Sequence, residues 1–294
     1  MAQYDEFGLF ADNASEVGLP YDAPPVVNRQ FVVVDDDRTV SALRWGSAAP
    51  ELLLLHGGAQ NAHTWDTMNL ALQRPLVAVD LPGHGHSAHR DDHAYWPREN
   101  AAAVEIAMRA LAPDARCVVG MSLGGLTAVA LAARAPDLVR ALVLVDVTPG
   151  VDSEKASAIV SFVNGPETFA SLEEILERTI AFNPTRSESS LRRGVLHNAV
   201  EQSDGRWRWR YDLPRWGENA LPDWQSLWDD LSAYPGPITL VRGSLSPVVT
   251  DDDVAELQRR RPDANVIVVD GAGHSVQGDR PLELAAIIDA ALAG

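Results

Sequence analysis

Residues 116–136 read RCVVGMSLGGLTAVALAARAP, and this stretch decides the fold. RCVVGM is a short apolar run of the kind found in a strand that is buried on both faces. LGGLTAVALAARAP has helical spacing and stops at Pro136. Between them, residues 120–124 (GMSLG) fit the pattern G-x-S-x-G, in which a tight turn needs neighbours without side chains because backbone segments pass close by. The stretch predicts a strand–turn–helix unit with Ser122 exposed at the turn as a candidate nucleophile.

Similar apolar runs recur on both sides of this unit and alternate with segments of helical spacing. The runs are FVVV (31–34), VSALRW (40–45), ELLLLHG (51–57), PLVAVDLPGHG (75–85), RALVLVDVTPG (140–150), PITLVRG (237–243) and NVIVVDG (265–271). The first two flank an acidic turn and predict a hairpin. The others predict an α/β fold with a mostly parallel sheet and helices on both faces. In such a sheet, catalytic groups lie at the carboxyl ends of the strands.

The alternation lapses between residues 151 and 230, where helical stretches and a tryptophan-rich segment replace it. We interpret 151–230 as a mainly helical cap, inserted into a core formed by residues 30–150 and 231–294. Residues 1–29 show no clear period and are expected to form an extension on the surface. The tryptophans of the cap region are Trp207, Trp209, Trp216, Trp224 and Trp228.

Composition excludes several classes of protein. The chain has 24 basic and 41 acidic residues and a net charge of −17, which disfavours nucleic acid or an anionic membrane as a partner. Its single cysteine, Cys117, cannot form an internal disulfide or a zinc cluster. No run approaches the ~18 apolar residues of a membrane helix, and the N-terminus does not resemble a signal peptide. We expect a cytoplasmic protein without a metal or another cofactor.

Two glycine-containing segments supply the groups that a nucleophilic serine needs. The helix that follows Ser122 would place its N-terminal dipole beneath a developing oxyanion. The loop that begins His56-Gly57-Gly58 can aim the Gly58 N–H, or failing that the Ala59 N–H, at the point that the Leu123 N–H also faces. We therefore predict an oxyanion hole formed by Gly58 and Leu123. His56 itself is expected to order the loop by hydrogen bonds rather than act as a base.

Among the eight histidines, His274 is placed best for catalysis. It lies in GAGHS (271–275), after the last predicted strand, where small neighbours leave it free to reach an adjacent strand end. The loop HGHSAHRDDH (84–93) lacks a helical H-x-x-x-H pair and cysteine partners, so its histidines are expected to be solvated rather than metal ligands. His63, near the predicted oxyanion loop, is a candidate to line a pocket.

Four motifs in this order and spacing resemble the α/β-hydrolase superfamily of the serine esterase type. They are HGG…W (56–65), DLPGHGHS (80–87), GMSLGG (120–125) and GAGH (271–274), and the resemblance covers roughly residues 30–294. It implies the α/β-hydrolase fold, Ser122 as nucleophile and His274 as general base and acid. Gly58 and Leu123 would form the oxyanion hole.

The triad acid is missing from its usual place. Most members of the superfamily carry an aspartate a few residues after the glycine that ends the seventh strand, but here Gly243 is followed by Ser246. One candidate is Asp146, which follows the neighbouring sixth strand; the other is the cluster Asp251–Asp253. Because Thr250 and that cluster have the pattern of an ordinary helix start, we favour Asp146. Ser246 would then be a loop residue at the pocket edge, hydrogen-bonded to the triad.

The segment LVDVTPG, followed by a tryptophan-rich cap, is also similar to an actinobacterial esterase group with its acid after strand six. The resulting prediction is a hydrolase of carboxylic esters that acts through an acyl-enzyme on a small molecule with an apolar acyl or ring group. Candidate pocket residues are His63, Met121, Trp207, Trp224 and Trp228. A thioesterase, a lactonase and a C–C bond hydrolase remain open, as does a non-catalytic ligand-binding protein with a weakened triad.

Overall fold

A computed structural model describes residues 4–35, 37–151, 155, 157–184, 186–212 and 224–293. Its strands are β1 (Val27–Val33), β2 (Thr39–Trp45), β3 (Leu52–Leu55), β4 (Leu76–Val79), β5 (Cys117–Met121), β6 (Leu142–Val145), β7 (Thr168–Phe169), β8 (Ala199–Glu201), β9 (Trp207–Trp209), β10 (Ile238–Gly243) and β11 (Asn265–Val269). Its α-helices are α1 (Phe10–Glu16), α2 (Asp66–Leu72), α3 (Pro97–Leu111), α4 (Leu123–Arg134), α5 (Ser157–Val163), α6 (Leu172–Phe182), α7 (Glu188–Asn198), α8 (Trp224–Ala233), α9 (Asp251–Arg260), α10 (Val276–Asp279) and α11 (Pro281–Ala293). A 3-10 helix, Ala62–Trp65, precedes α2.

Within these residues, eight strands form one sheet in the order β1-β2-β4-β3-β5-β6-β10-β11. Strand β2 pairs antiparallel with both β1 and β4, whereas every pair from β4 to β11 is parallel. The predicted mostly parallel sheet is therefore confirmed. Its topology brings the carboxyl ends of β3, β5, β6, β10 and β11 to a single edge, where the segments after these strands meet.

Both faces of the sheet are buried under helices, as predicted. The run Leu52–Leu55 shows how: Leu53 and Leu55 join one core cluster, and Leu52 and Leu54 join the cluster on the other face. Successive side chains of a strand point to opposite faces, so a strand covered on both sides reads as a continuous apolar run. Helices α3, α4 and α8 pack together, and α2 packs with α1 and α11. Among the described residues, no helix is long and apolar enough to cross a membrane.

The N-terminal segment differs from the predicted surface extension. Its helix α1 buries Phe10, which is 1% exposed and has its ring centroid 5.0 Å from that of Trp45. Glu6 and Arg29 also form an ion pair in this region. The segment is thus held on the core by the Phe10 ring and by the ion pair of Glu6. A segment without a hydrophobic period gives no sign of such contacts in its sequence.

Strands β7 to β9 and helices α6 and α7, which lie between β6 and β10 in the chain, form a separate small unit beside the main sheet. Strands β7, β9 and β8 make a three-stranded antiparallel sheet, and helices α6 and α7 pack against each other. A separate cluster of buried side chains, including Phe169, Ile175 and Trp209, fills this unit. We call it the cap; it contains strands as well as helices. Helix α8 instead packs on α4 in the main core, although the predicted boundary at residue 230 runs through it.

Candidate active site

Ser122 lies at a strained turn between β5 and α4. Its backbone has φ +50° and ψ −119°, a conformation that residues other than glycine rarely adopt and that clusters at active sites. The turn is tight because glycines border it. A Cβ atom at Gly120 would collide with the Gly124 carbonyl, and one at Gly124 would collide with the carbonyls of Leu55 and His56. The G-x-S-x-G pattern therefore serves close backbone packing, as predicted.

The substitution Gly124→Ala tests this packing. Because the added methyl group would meet rigid backbone on β3, we expect the free energy of unfolding to fall by about 3 kcal/mol, measured by urea denaturation. Gly194→Ala is the matched control, since Gly194 lies in helix α7 with open space around it. That control should be neutral or stabilising by up to about 1 kcal/mol. Equal stabilities of the two variants would contradict the packing explanation.

Asp146 directly follows β6 and is fully buried. Its carboxylate accepts hydrogen bonds from three groups: His274 Nδ1 at 2.7 Å, the Gly243 N–H at 3.0 Å and the Ser246 hydroxyl. The backbone of Asp146 is left-handed, with φ +51°. The structure thus brings Asp146 and His274 together across two neighbouring strands, as the sequence prediction requires.

Ser246 occupies the position where an aspartate was expected. Its hydroxyl donates to Asp146 Oδ2 and accepts from the Val248 N–H at 3.2 Å, and the residue is buried. The predicted hydrogen bond between Ser246 and the candidate acid is therefore present. A serine here orients the carboxylate of Asp146 instead of replacing it.

The alternative carboxylates have other partners. Asp251 is exposed and pairs with Arg242. Asp253 forms a capping box with Thr250 at the start of α9 and binds Lys155 Nζ at 2.8 Å. Asp252 is exposed in the same first turn. The Asp251–Asp253 cluster therefore has the structure of an ordinary acidic helix start.

The loop after β3 borders the nucleophile. A Cβ atom at Gly57 would lie 3.4 Å from Ser122 Cβ, and one at Gly58 would lie 4.0 Å from the Leu123 side chain. Leu123 is the first residue of α4, where backbone N–H groups have no intrahelical acceptor. Within the described ranges, no hydrogen bond joins Ser122 to His274. Such bonds often tighten only once substrate is bound.

His56 orders this loop from beneath, as predicted. It is fully buried; its Nδ1–H donates to the Gly57 carbonyl at 2.7 Å, and its Nε2 accepts from the Leu81 N–H at 2.9 Å. Burial, together with the nearby His84, lowers the pKa of His56 to about 3. The ring is therefore neutral at ordinary pH and acts as a fixed bridge between two loops.

The prediction of solvated histidines in residues 84–93 is wrong for His84. This side chain is buried, its Nε2 accepts from the Ala59 N–H at 3.1 Å, and its Nδ1 contacts the Pro82 carbonyl. His86 is half-buried, and His93 contacts Asp212 at 2.6 Å. Only His89 in this run is exposed. The loop folds back on the segment after β3, a contact between distant residues that local composition does not encode.

The candidate pocket residues have different surroundings. Met121 is buried, and its sulfur packs so close to Gly57 that a Cβ atom there would collide with it. Trp207 is half-buried and packs on the cluster of the cap. Trp228 is a residue of the main core, with the Arg260 guanidinium 5.3 Å from its ring centroid. The Trp224 side chain and the whole of Trp216 lie outside the described residues.

His63, predicted to line a pocket, is instead buried in an ionic network. Its Nδ1 lies 2.8 Å from Asp66 Oδ2 and its Nε2 lies 3.0 Å from Glu6 Oε1. Its ring stacks on His197 with centroids 3.8 Å apart and planes 8° from parallel. The Tyr4 hydroxyl in turn lies 2.7 Å from His197 Nδ1. The network joins the N-terminal segment, the 3-10 helix, α2 and the cap helix α7.

Three of these residues could in principle hold a metal ion, since ligand atoms of His63, Asp66 and His197 lie within 4.8 Å of one another. However, parallel stacking directs the two imidazoles side by side rather than toward a common point. Both nitrogens of His63 also already face carboxylate oxygens. We therefore interpret the group as a buried ion-pair network.

The charge of His63 should contribute to stability in a pH-dependent way. Burial disfavours the imidazolium, but Asp66 and Glu6 outweigh burial and raise the pKa of His63 from 6.5 to about 9. A raised pKa stabilises the folded state below the unfolded value, and this stabilisation is lost as the pH rises through the folded value. We expect the advantage of wild type over His63→Gln in urea denaturation to shrink by about 3 kcal/mol from pH 6 to pH 10. A difference that does not depend on pH would contradict the assignment, and exposed His89→Gln is the control.

Residues 52–287, most of the chain, match the Alpha/beta hydrolase family. The chain belongs to this family. The sheet order, together with the family match and the structural match to an esterase, confirms the predicted fold class.

This alpha/beta hydrolase is 48% identical over 291 residues to "Esterase Rv0045c" of Mycobacterium tuberculosis, a match that covers 97% of this chain and 94% of the relative. The crystal structure of that esterase superposes with a TM-score of 0.89 at 47% identity and covers all of both chains. The chain is also 31% identical over 247 residues to the "sn-1-specific diacylglycerol lipase ABHD11" of Xenopus laevis, which covers 79% of this chain and 76% of the relative. The similarity to an actinobacterial esterase group that the sequence indicates is consistent with the first match.

Proposed function

We propose that this protein is a serine hydrolase that cleaves carboxylic esters through an acyl-enzyme formed on Ser122. Similarity to an esterase over nearly the full length supports the class of ester hydrolase. The hydrogen bond of 2.7 Å between His274 Nδ1 and Asp146 carries the assignment of the triad. It holds a histidine at the same sheet edge as the strained serine, which is the arrangement that nucleophilic catalysis needs.

The chemistry then follows from the roles of three side chains. His274 takes the proton of the Ser122 hydroxyl as its oxygen attacks the carbonyl carbon of the ester. The N–H groups of Gly58 and Leu123 stabilise the oxyanion, and Asp146 stabilises the imidazolium. Collapse breaks the bond to the alkoxide, which leaves as an alcohol with the proton from His274. Water then repeats the attack, with His274 as base, and releases the carboxylic acid.

We assign the acyl side of the substrate an apolar group beneath the cap. Ala59, next to Gly58, packs against the buried cluster of the cap, so the cap touches the loop that borders the nucleophile. Tyr211 and Trp209 of that unit stack at 5.5 Å, and Tyr211 in turn lies 6.3 Å from the His84 ring. Apolar walls with a few placed polar groups are typical of small-molecule pockets.

A substrate panel tests this function. Steady-state kinetics with p-nitrophenyl esters from acetate to decanoate should give turnover and a kcat/KM that rises with the length of the acyl chain. The matching acyl thioesters and lactones are the controls for substrate class. A folded protein that turns over none of these substrates would support the non-catalytic alternative, whereas faster cleavage of the thioesters or lactones would move the assignment to those classes.

A further inference from the structure

The oxyanion loop, defined here as Gly57–Asn61, contains a residue that needs outside support. Ala59 has φ +60°, in the left-handed region that disfavours residues with a Cβ. Such a conformation persists only where its surroundings hold it. The contacts that hold Ala59 therefore also hold its neighbour Gly58, whose N–H is proposed to bind the oxyanion.

The first three peptide units of this loop each have a hydrogen-bond partner. The Gly57 carbonyl accepts from His56 Nδ1 at 2.7 Å and from the Gln60 N–H at 3.2 Å. In a planar trans peptide the N–H points away from the carbonyl, so these bonds turn the Gly58 N–H in the opposite direction. The next peptide is held by the Ala59 N–H, which donates to His84 at 3.1 Å.

The following peptide is held by the cap. Asn198, the last residue of α7, donates from Nδ2 to the Ala59 carbonyl at 2.7 Å. The Oδ1 of Asn198 accepts a hydrogen bond from Asn61 Nδ2 at 3.2 Å. Asn61 Nδ2 also donates to the His197 carbonyl at 3.2 Å. One cap side chain thus binds both Ala59 and Asn61, on either side of Gln60.

The support itself is well anchored. The Asn198 carbonyl accepts from the Arg210 N–H at 2.8 Å, which ties the end of α7 to the strand region of the cap. The preceding residue, His197, is buried in the ionic network with His63 and Asp66. A cap side chain fixed in this way can hold a strained loop in one conformation.

We propose that Asn198 is a positioning residue of the cap that holds the oxyanion loop, so that the oxyanion hole is fully formed only when the cap is docked. The proposal rests on the proposed function, because it concerns the Gly58 donor of the same reaction. Asn198 does not touch the reacting atoms; it acts through Ala59. Its loss should therefore weaken binding of the transition state more than binding of the substrate.

Kinetics of Asn198→Ala and of the nearly isosteric Asn198→Asp test the proposal. The aspartate keeps the shape and can accept from Asn61, but it cannot donate to the Ala59 carbonyl. Loss of an oxyanion donor lowers kcat by ~10²–10³, and a misplaced donor should lower it by at least about tenfold. We expect that fall in kcat for both variants, with KM within about twofold of wild type.

A second measurement separates positioning from a general structural role. Affinity for an alkylboronic acid, which forms a tetrahedral adduct with the nucleophile, should fall about tenfold, whereas affinity for the product carboxylate should not change. Asn183→Ala is the matched control: Asn183 also lies at the end of a cap helix, directly after α6, but among the described residues its Nδ2 binds the Thr179 carbonyl of its own helix. That variant should behave like wild type in both measurements.

The outcomes are distinct. A wild-type kcat in both folded Asn198 variants would overturn the positioning role while the serine hydrolase stands, and so would a rise in KM at constant kcat. If Asn198→Ala does not fold, Asn198→Asp alone decides between these results. Wild type that neither turns over esters nor binds the boronic acid would instead refute the proposed function.

Discussion

Ser122→Ala should lower kcat for the best p-nitrophenyl ester by about 10⁶, which is the scale seen when a triad serine is removed. The reason is specific: the alanine keeps the turn between β5 and α4 but has no oxygen to attack the ester. The variant should remain folded. Among the described residues the Ser122 hydroxyl makes no hydrogen bond, so its removal takes away no contact that stabilises the turn. Steady-state kinetics and circular dichroism measure the two effects together.

The control for this substitution is Ser203→Ala, which removes an exposed hydroxyl in the turn between β8 and β9. It should leave kcat unchanged. Ester turnover by Ser122→Ala within tenfold of wild type would mean that another group, or a bound water, attacks the substrate, and the acyl-enzyme route would then be wrong.

Asp146→Asn should lower kcat by about 10⁴, the usual effect of removing the charge of a triad acid. The amide fits the same space and can still bind Ser246, but it cannot stabilise the imidazolium that His274 becomes. Asp251→Asn and Asp252→Asn change exposed carboxylates at the start of α9 and should leave kcat nearly unchanged. A large loss of kcat in either of those variants, with an active Asp146→Asn, would reverse the assignment of the acid.

The position of Ser246 offers a sharper version of this test. Its hydroxyl binds the same Asp146 oxygen that His274 faces, so a carboxylate at position 246 would point toward the same imidazole. Adding Ser246→Asp to Asp146→Asn should therefore restore part of the lost activity, about 10²-fold above the single variant. If Asp146 does not act through His274, the added aspartate should restore nothing.

Much of this site could be predicted from short stretches of sequence because local physics dictates them. The tight turn at Ser122 requires glycines, and those glycines are visible as a pattern. Asp146 could be found because parallel strands end at one sheet edge, so a carboxylate after β6 lies near a loop after β10 and β11. Ser246 stands where most members of the superfamily have the triad aspartate, and this indicates that the acid lies elsewhere in the chain.

Other features depend on contacts between distant residues and leave no local pattern. Glu6 and His63 are 57 residues apart, and Asn198 and Ala59 are 139 apart. The burial of His84 and of Phe10 in helix α1 arises from the same kind of long-range packing. The interpretation of His63 as a pocket residue failed for this reason: Asp66 is close to it in sequence, but Glu6 and the stacking partner His197 are not.

The proposed acyl-enzyme mechanism requires a reactive serine at position 122. Labelling of the wild-type protein with a fluorophosphonate, followed by mass spectrometry of the peptides, tests this directly. We predict one adduct per chain, located on Ser122, and no adduct in Ser122→Ala. A folded wild-type protein that remains unlabelled, or that carries its adduct on a different residue, would contradict the assignment of Ser122 as the nucleophile.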